Sequence, residues 1–192
     1  MRLPFFYKEQ IVKALKAFDQ KSGHFHVIID TPKGHRNKYH YEEDKDLFLL
    51  KSVLPAGMVF PFDFGFVPGT HGDDGDPLDI LVLTDEPAIQ GSLVMTRLLA
   101  VIEAEQTEQG ETNRNDRLIG IAAASREYQS VESLDQLNPN LIEEIKHFFV
   151  TYNELSGKAF RPLGAAGADR ARKLIESAAK RAPRSAGRGK RR

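Results

Sequence analysis

Apolar residues recur with different periods along this chain, and the changes of period divide it. Near the start, Ile11, Val12, Leu15 and Phe18 fall on one helical stripe, which predicts a helix over about residues 5–19, ended at Ser22-Gly23. HFHVIID (24–30) then reads as a strand closed by Thr31-Pro32, and PKGHRN as a turn. KYHYEED and DLFLLKSV read as a short strand pair. VLPAGMVFPFDFGFVPG is rich in Pro, Gly and Phe, which predicts an irregular buried segment with short strands; Phe60, Phe62, Phe64 and Phe66 alternate as core residues do. LDILVL, LVMTRLLAVIEA and RLIGIAA are further strands, with EPAIQGS as a turn and EQTEQGETNRND as a polar hairpin tip or loop.

The period returns to that of a helix after about residue 130. Asn138 caps and Pro139 opens a helix whose Leu141, Ile145, Phe148, Phe149 and Tyr152 share a face, with Gly157 as its stop. Leu174 and Ile175 belong to a last helix over about residues 166–182. Several short strands without intervening helices give an α+β class, mainly β, built on an antiparallel sheet or small barrel rather than a doubly wound sheet.

Hydrophobic residues at 41% and charged residues at 28% suit one soluble domain, expected over residues 1–182. There is no cysteine, which excludes disulfides and thiolate metal sites. No apolar run reaches membrane-spanning length, and the first residues lack the apolar block of a signal peptide. A cytoplasmic protein without membrane association is the expectation. The zero net charge hides an asymmetry: residues 180–192 hold seven of the 27 basic residues and no acid, which leaves 20 basic against 27 acidic elsewhere, a net of −7. Residues 183–192 are expected to form a disordered basic tail. Its charge suits nucleic acid or anionic lipid, and a solubilising end is the plainer reading.

HGDDGDPLDILVL (71–83) carries the candidate chemistry. Asp73, Asp74, Asp76 and Asp79 crowd into seven positions, with Gly75 and Pro77 shaping the bend. A solvated acidic turn would not place its last aspartate inside a strand, where a carboxylate is costly unless a positive charge compensates it. A divalent cation with hard oxygen ligands is the simplest compensation. An EF-hand is excluded, because Asp79 falls where that loop needs Gly and no helix follows. His24 and His26, with no third ligand evident, read as ordinary strand residues.

DGDPLDILV closely resembles the signature of the soluble family I inorganic pyrophosphatases. FPFDFGFVPGT, HVIIDTP, LFLLKSV and HFFVTYNELSGK resemble further segments of that family, so the likeness runs over about residues 24–160. The resemblance implies a small closed antiparallel β-barrel, OB-like and flanked by helices, and Mg²⁺-dependent hydrolysis of pyrophosphate to two phosphates. It implies Asp74, Asp76 and Asp79 as metal ligands, for Mg²⁺ or Mn²⁺, with Asp76 as base to the attacking water. Lys38, Lys51, Arg117 and Tyr152 match substrate-binding positions, and Asp30 and Asp116 are further candidates. The partners expected are pyrophosphate and other copies of this chain in a homo-oligomer.

The chain also departs from the family's pattern. Lys51 stands in place of arginine, Arg117 in place of lysine and Asp30 in place of glutamate. Phe64 replaces a phosphate-binding tyrosine and Asn153 replaces a lysine. The family's second acidic pair lies in the hairpin before Arg117, where this chain has Asn115, and Asp116, Glu108 or Glu111 are the acids at hand. A thinned substrate shell leaves two alternatives: a weakened or non-catalytic relative that binds metal or phosphates, and a hydrolase of another diphosphate.

Overall fold

The computed structural model describes residues 12 and 15–182. Five of its strands close into a ring. β1 (Phe25–Thr31) pairs with β4 (Asp63–Phe66), and β4 with β5 (Asp79–Leu83). β5 pairs with β8 (Arg117–Ala122), β8 with β6 (Leu93–Glu108), and β6 returns to β1. The ring is therefore the mainly β, barrel-like arrangement expected, with one difference: β5 and β8 run parallel. Two further strands, β7 (Glu111–Arg114) and β9 (Ala159–Gly167), pair with the long outer part of β6. β2 (Asn37–Glu42) and β3 (Leu47–Val53) form a separate two-stranded sheet.

Among residues 15–182, two α-helices complete the fold. α1 (Pro139–Glu154) starts as the sequence predicts: the Asn138 side chain accepts from the Asn140 amide at 3.0 Å, and Pro139 occupies the first turn. It ends near Gly157, which takes φ of +73°. α2 (Ala168–Arg181) begins two residues later than read, because residues 159–167 extend β6 as a strand. Most of the predicted N-terminal helix lies outside the described residues. Its expected last turn is not helical: Phe18 instead bridges to Phe25, ring centroids 4.3 Å apart.

The core divides about the ring. One cluster gathers Phe60, Phe64, Leu81, Ile119, Phe149 and Phe160 beneath α1. The other gathers Val27, Ile80, Val101, Leu118, Ala171 and Ile175 beneath α2. The two clusters are the opposite faces of β5, since alternate strand residues point to opposite sides. β1 and β4 approach so closely that a Cβ on Gly65 would lie 2.0 Å from the Ile28 carbonyl oxygen. Gly65→Ala is therefore expected to destabilise the protein by about 3 kcal/mol, the upper range for overpacking. Thermal unfolding should show a fall of about 6–12 °C. An unchanged midpoint would mean that the two strands separate freely.

Candidate active site

The aspartate loop joins β4 to β5 and is tied down at both ends. The Thr70 hydroxyl donates to the Val67 carbonyl at 2.6 Å and accepts from the Leu78 amide at 3.0 Å. The Gly72 amide donates to the Asp76 carbonyl at 2.7 Å, and Gly75 takes φ of +93°, open to glycine at little cost. The C-terminal turn of α2 holds the outer side: Arg181 donates to the His71 carbonyl at 3.0 Å and pairs with Asp73 at 3.1 Å. Asp74 Oδ1 accepts from the Asp76 amide at 3.2 Å.

The parallel pairing of β5 with β8 brings the opposite charges together. Asp79 opens β5 and Arg117 opens β8, and the two strands are in register from Ile80 and Leu118 onward. Arg117 Nη1 thus lies 2.8 Å from Asp79 Oδ2. The guanidinium also donates to Asn115 Oδ1 and stacks near Phe149 and Phe160, at 5.2 and 5.4 Å from their centroids. Arg117 is only 4% exposed, and its Nε has no hydrogen-bond partner among the described residues. Alone in sequence this arginine reads as a solvated charge; the structure instead buries it beside Asp79.

A second cation stands on the same aromatic floor. Lys38 Nζ lies 4.3 Å from the Phe64 centroid, Phe64 packs on Phe149 at 5.9 Å, and Phe149 underlies Arg117. Phe64 is thus core, as predicted, and also a face for Lys38 where a tyrosine hydroxyl is missing. Lys38 is held by Asp30, at 3.0 and 2.9 Å from the two carboxylate oxygens. Burial pushes the Asp30 carboxyl up to about 6, against the opposing pull of Lys38. Tyr152 on α1 is pushed up to about 12 by burial, then by Asp79, with Arg117 opposing and Asp30 adding, so its hydroxyl stays protonated.

This gives a pH signature. The folded Asp30 carboxyl binds its proton more tightly than the ordinary value of 3.8. Its contribution to stability is present below that value and is lost as pH rises through about 6. Relative to Asp30→Asn, the wild type should lose on the order of 2 kcal/mol between pH 4 and pH 7 in urea unfolding. A difference independent of pH would show that Asp30 is not buried as a charged group.

The other expected site residues divide. Asp74, Asp76 and Asp79 sense each other. Although the Asp74 residue is exposed, its carboxyl is held above the ordinary range by partial desolvation, against the Asp76 amide, with the Asp79 and Asp76 charges adding. Among the described residues no three His, Cys, Asp or Glu side chains converge closely enough to hold a metal ion. Three hard oxygen donors within six positions of one loop suit a divalent cation that would draw them together. Lys51 is exposed on β3, as the extra residue opposite the Lys38–Tyr39 step of β2. Asp116 Oδ1 accepts from the Ala104 amide at 2.9 Å and from Arg114 at 2.7 Å, and the residue lines one cavity with Asp74 and Asp79. Asn153 is buried and donates to the Phe149 carbonyl of its own helix at 2.8 Å. Gln106 escapes a reading from sequence: only the β6–β7 hairpin brings its Oε1 to 3.1 Å from Asn115 Nδ2.

The family model described as inorganic pyrophosphatase matches residues 27–183. The inorganic pyrophosphatase of Methanosarcina acetivorans is 36% identical over 155 residues, which cover 81% of this chain and 90% of that protein. That of Synechocystis is 33% identical over 160 residues, covering 83% and 92%. The crystal structure of inorganic pyrophosphatase from Thermus thermophilus superposes with a TM-score of 0.80 at 30% identity, over 88% of this chain and 97% of that one. Similarity of this extent in both sequence and fold shows that the chain belongs to the inorganic pyrophosphatase family.

Proposed function

We propose that this protein hydrolyses inorganic pyrophosphate to two phosphates, with a divalent cation at Asp74, Asp76 and Asp79. The observation that carries this reading is the juxtaposition of the aspartate loop with buried Arg117, whose Nε has no hydrogen-bond partner among the described residues. Cation ligands and an anion ligand side by side are what a metal-complexed polyanion requires. A donor set of carboxylates alone, without nitrogen or sulfur, favours Mg²⁺, with Mn²⁺ as a substitute.

The bound cation would screen the charge of the anhydride and lower the pKa of water. The chain's own residues supply the rest. Asp76, exposed on the loop, accepts the proton of the attacking water as its oxygen bonds to phosphorus and the bridging P–O bond breaks. Arg117 and Lys38 neutralise phosphate oxygens from the aromatic floor, and the protonated Tyr152 donates to them. Asp30 positions the Lys38 ammonium. Phosphate binding without turnover is the second reading, favoured by the phenyl ring of Phe64 and the amide of Asn115 where the family has ionisable or hydroxyl groups. Self-association belongs to the first reading, and exposed Leu47, Leu49, Leu50 and Val53 on β3 support it. No helix among the described residues is long and apolar enough to cross a membrane.

Orthophosphate release from pyrophosphate tests the proposal. Release is expected with Mg²⁺, loss with EDTA, and recovery on adding Mg²⁺ or Mn²⁺. Undiminished release in metal-free buffer would remove the cation from the mechanism.

A further inference from the structure

The C-terminal end of α2 meets the aspartate loop immediately before the assigned ligands. Leu174, Ala178 and Arg181 lie on one stripe of the helix. Leu174 and Arg181 line one cavity with Asp73, Asp74 and Asp79. The Ala178 carbonyl accepts from the His71 amide at 3.1 Å. Arg181 completes the attachment with two donors: Nε to the His71 carbonyl at 3.0 Å, and Nη1 to Asp73 Oδ1 at 3.1 Å. Both polar groups of the His71 backbone and the carboxylate of Asp73 are thus held from the helix, on either side of Gly72.

The last turn of a helix carries a partial negative charge, and here it abuts a run of aspartates. Arg181 bridges the two. The contact adds little to global stability, since its side chains are 41% and 52% exposed and ion pairs this open are weak. Its consequence is local. Asp73 precedes Asp74, and its carboxylate, once released, is a fourth oxygen donor beside the three assigned to the cation. A larger carboxylate set favours Ca²⁺, which takes about six to eight oxygens, over Mg²⁺, which demands octahedral geometry and keeps several waters.

We infer that Arg181 is a positioning residue that sets the affinity and the selectivity of the cation site: it orders the outer limb of the aspartate loop and holds Asp73 out of the ligand set. The inference rests on Asp74, Asp76 and Asp79 as cation ligands.

Cation competition on the full chain tests it without reference to turnover. Mn²⁺ is titrated into the chelator-treated protein, free Mn²⁺ is read by electron paramagnetic resonance, and Mg²⁺ or Ca²⁺ is added as competitor. Arg181→Ala should weaken Mg²⁺ binding by about five- to tenfold, the cost of ordering about one residue's backbone, and Ca²⁺ binding by less than about twofold, because the freed Asp73 compensates. Asp73→Asn added to Arg181→Ala should weaken Ca²⁺ as far as Mg²⁺ and so restore the wild-type ratio of the two. The metal-free thermal midpoint should move by less than about 4 °C in these variants. Arg181→Gln, which keeps much of the length without the charge, should behave as Arg181→Ala and decides the matter should that variant fail to fold. Wild-type affinity for both cations, or equal weakening of both without Asp73→Asn, would overturn the inference. Mn²⁺ binding that survives Asp74→Asn with Asp76→Asn would instead remove the loop assignment on which it rests.

Discussion

Asp76→Asn is expected to lower kcat on pyrophosphate by about 10²–10⁴-fold while the protein keeps its thermal midpoint. The amide preserves shape and size but cannot take a proton from water. The loop's fold depends on the Asp76 backbone, through the Gly72 amide and Asp74 Oδ1, and not on its carboxylate. Cation affinity should weaken too, but far less than turnover. Asp73 is the control, since its described contact is a partly exposed pair with Arg181. Asp73→Asn should stay within about threefold of the wild type, as loss of an exposed ion pair costs less than about 1 kcal/mol. Equal rates for Asp76→Asn and Asp73→Asn would show that Asp76 is not the base.

Arg117→Ala is expected to harm both stability and activity. The guanidinium is buried, stacked near two phenyl rings and paired with Asp79, so its removal strands a carboxylate and leaves a hole. Because Asp79 retains some access to water, the cost is set at about 3 kcal/mol, the low end for breaking a buried pair. Loss of its charge from the transition state should reduce kcat/KM by about 10²–10³-fold. Arg117→Lys separates the two roles. An ammonium keeps the charge beside Asp79 but loses the fork that also reaches Asn115. It should recover turnover to within about tenfold of the wild type, the value of a single charge-assisted contact. If lysine and alanine behave alike, charge at this position is not what the reaction uses.

Local chemistry was legible in the sequence and long-range pairing was not. The spacing of Asp74, Asp76 and Asp79 is fixed within one short loop, so it points to cation binding before any fold is known. The cap at Asn138-Pro139 and the face of α1 are likewise set by neighbours along the chain. The parallel β5–β8 pair is different: nothing near Asp79 or Arg117 says that they meet, and an isolated arginine looks solvated. The Gln106–Asn115 contact needs the register of a hairpin whose outer strands are polar and carry no apolar alternation to read. β9 hides for a related reason, since its PLGAAG stretch offers small residues with no strand pattern and is recruited by the edge of β6. The aromatic floor was legible as core, but its second use, beneath Lys38 and Arg117, appears only in three dimensions.

The most direct measurement is ³¹P NMR of pyrophosphate incubated with a catalytic amount of the full chain and Mg²⁺. The account predicts that the pyrophosphate signal disappears over many turnovers, that two orthophosphates appear for each one lost, and that Asp76→Asn leaves the signal in place. A pyrophosphate signal that persists with the wild-type protein, while Mn²⁺ still binds at the aspartate loop, would contradict it and identify a phosphate-binding relative without turnover.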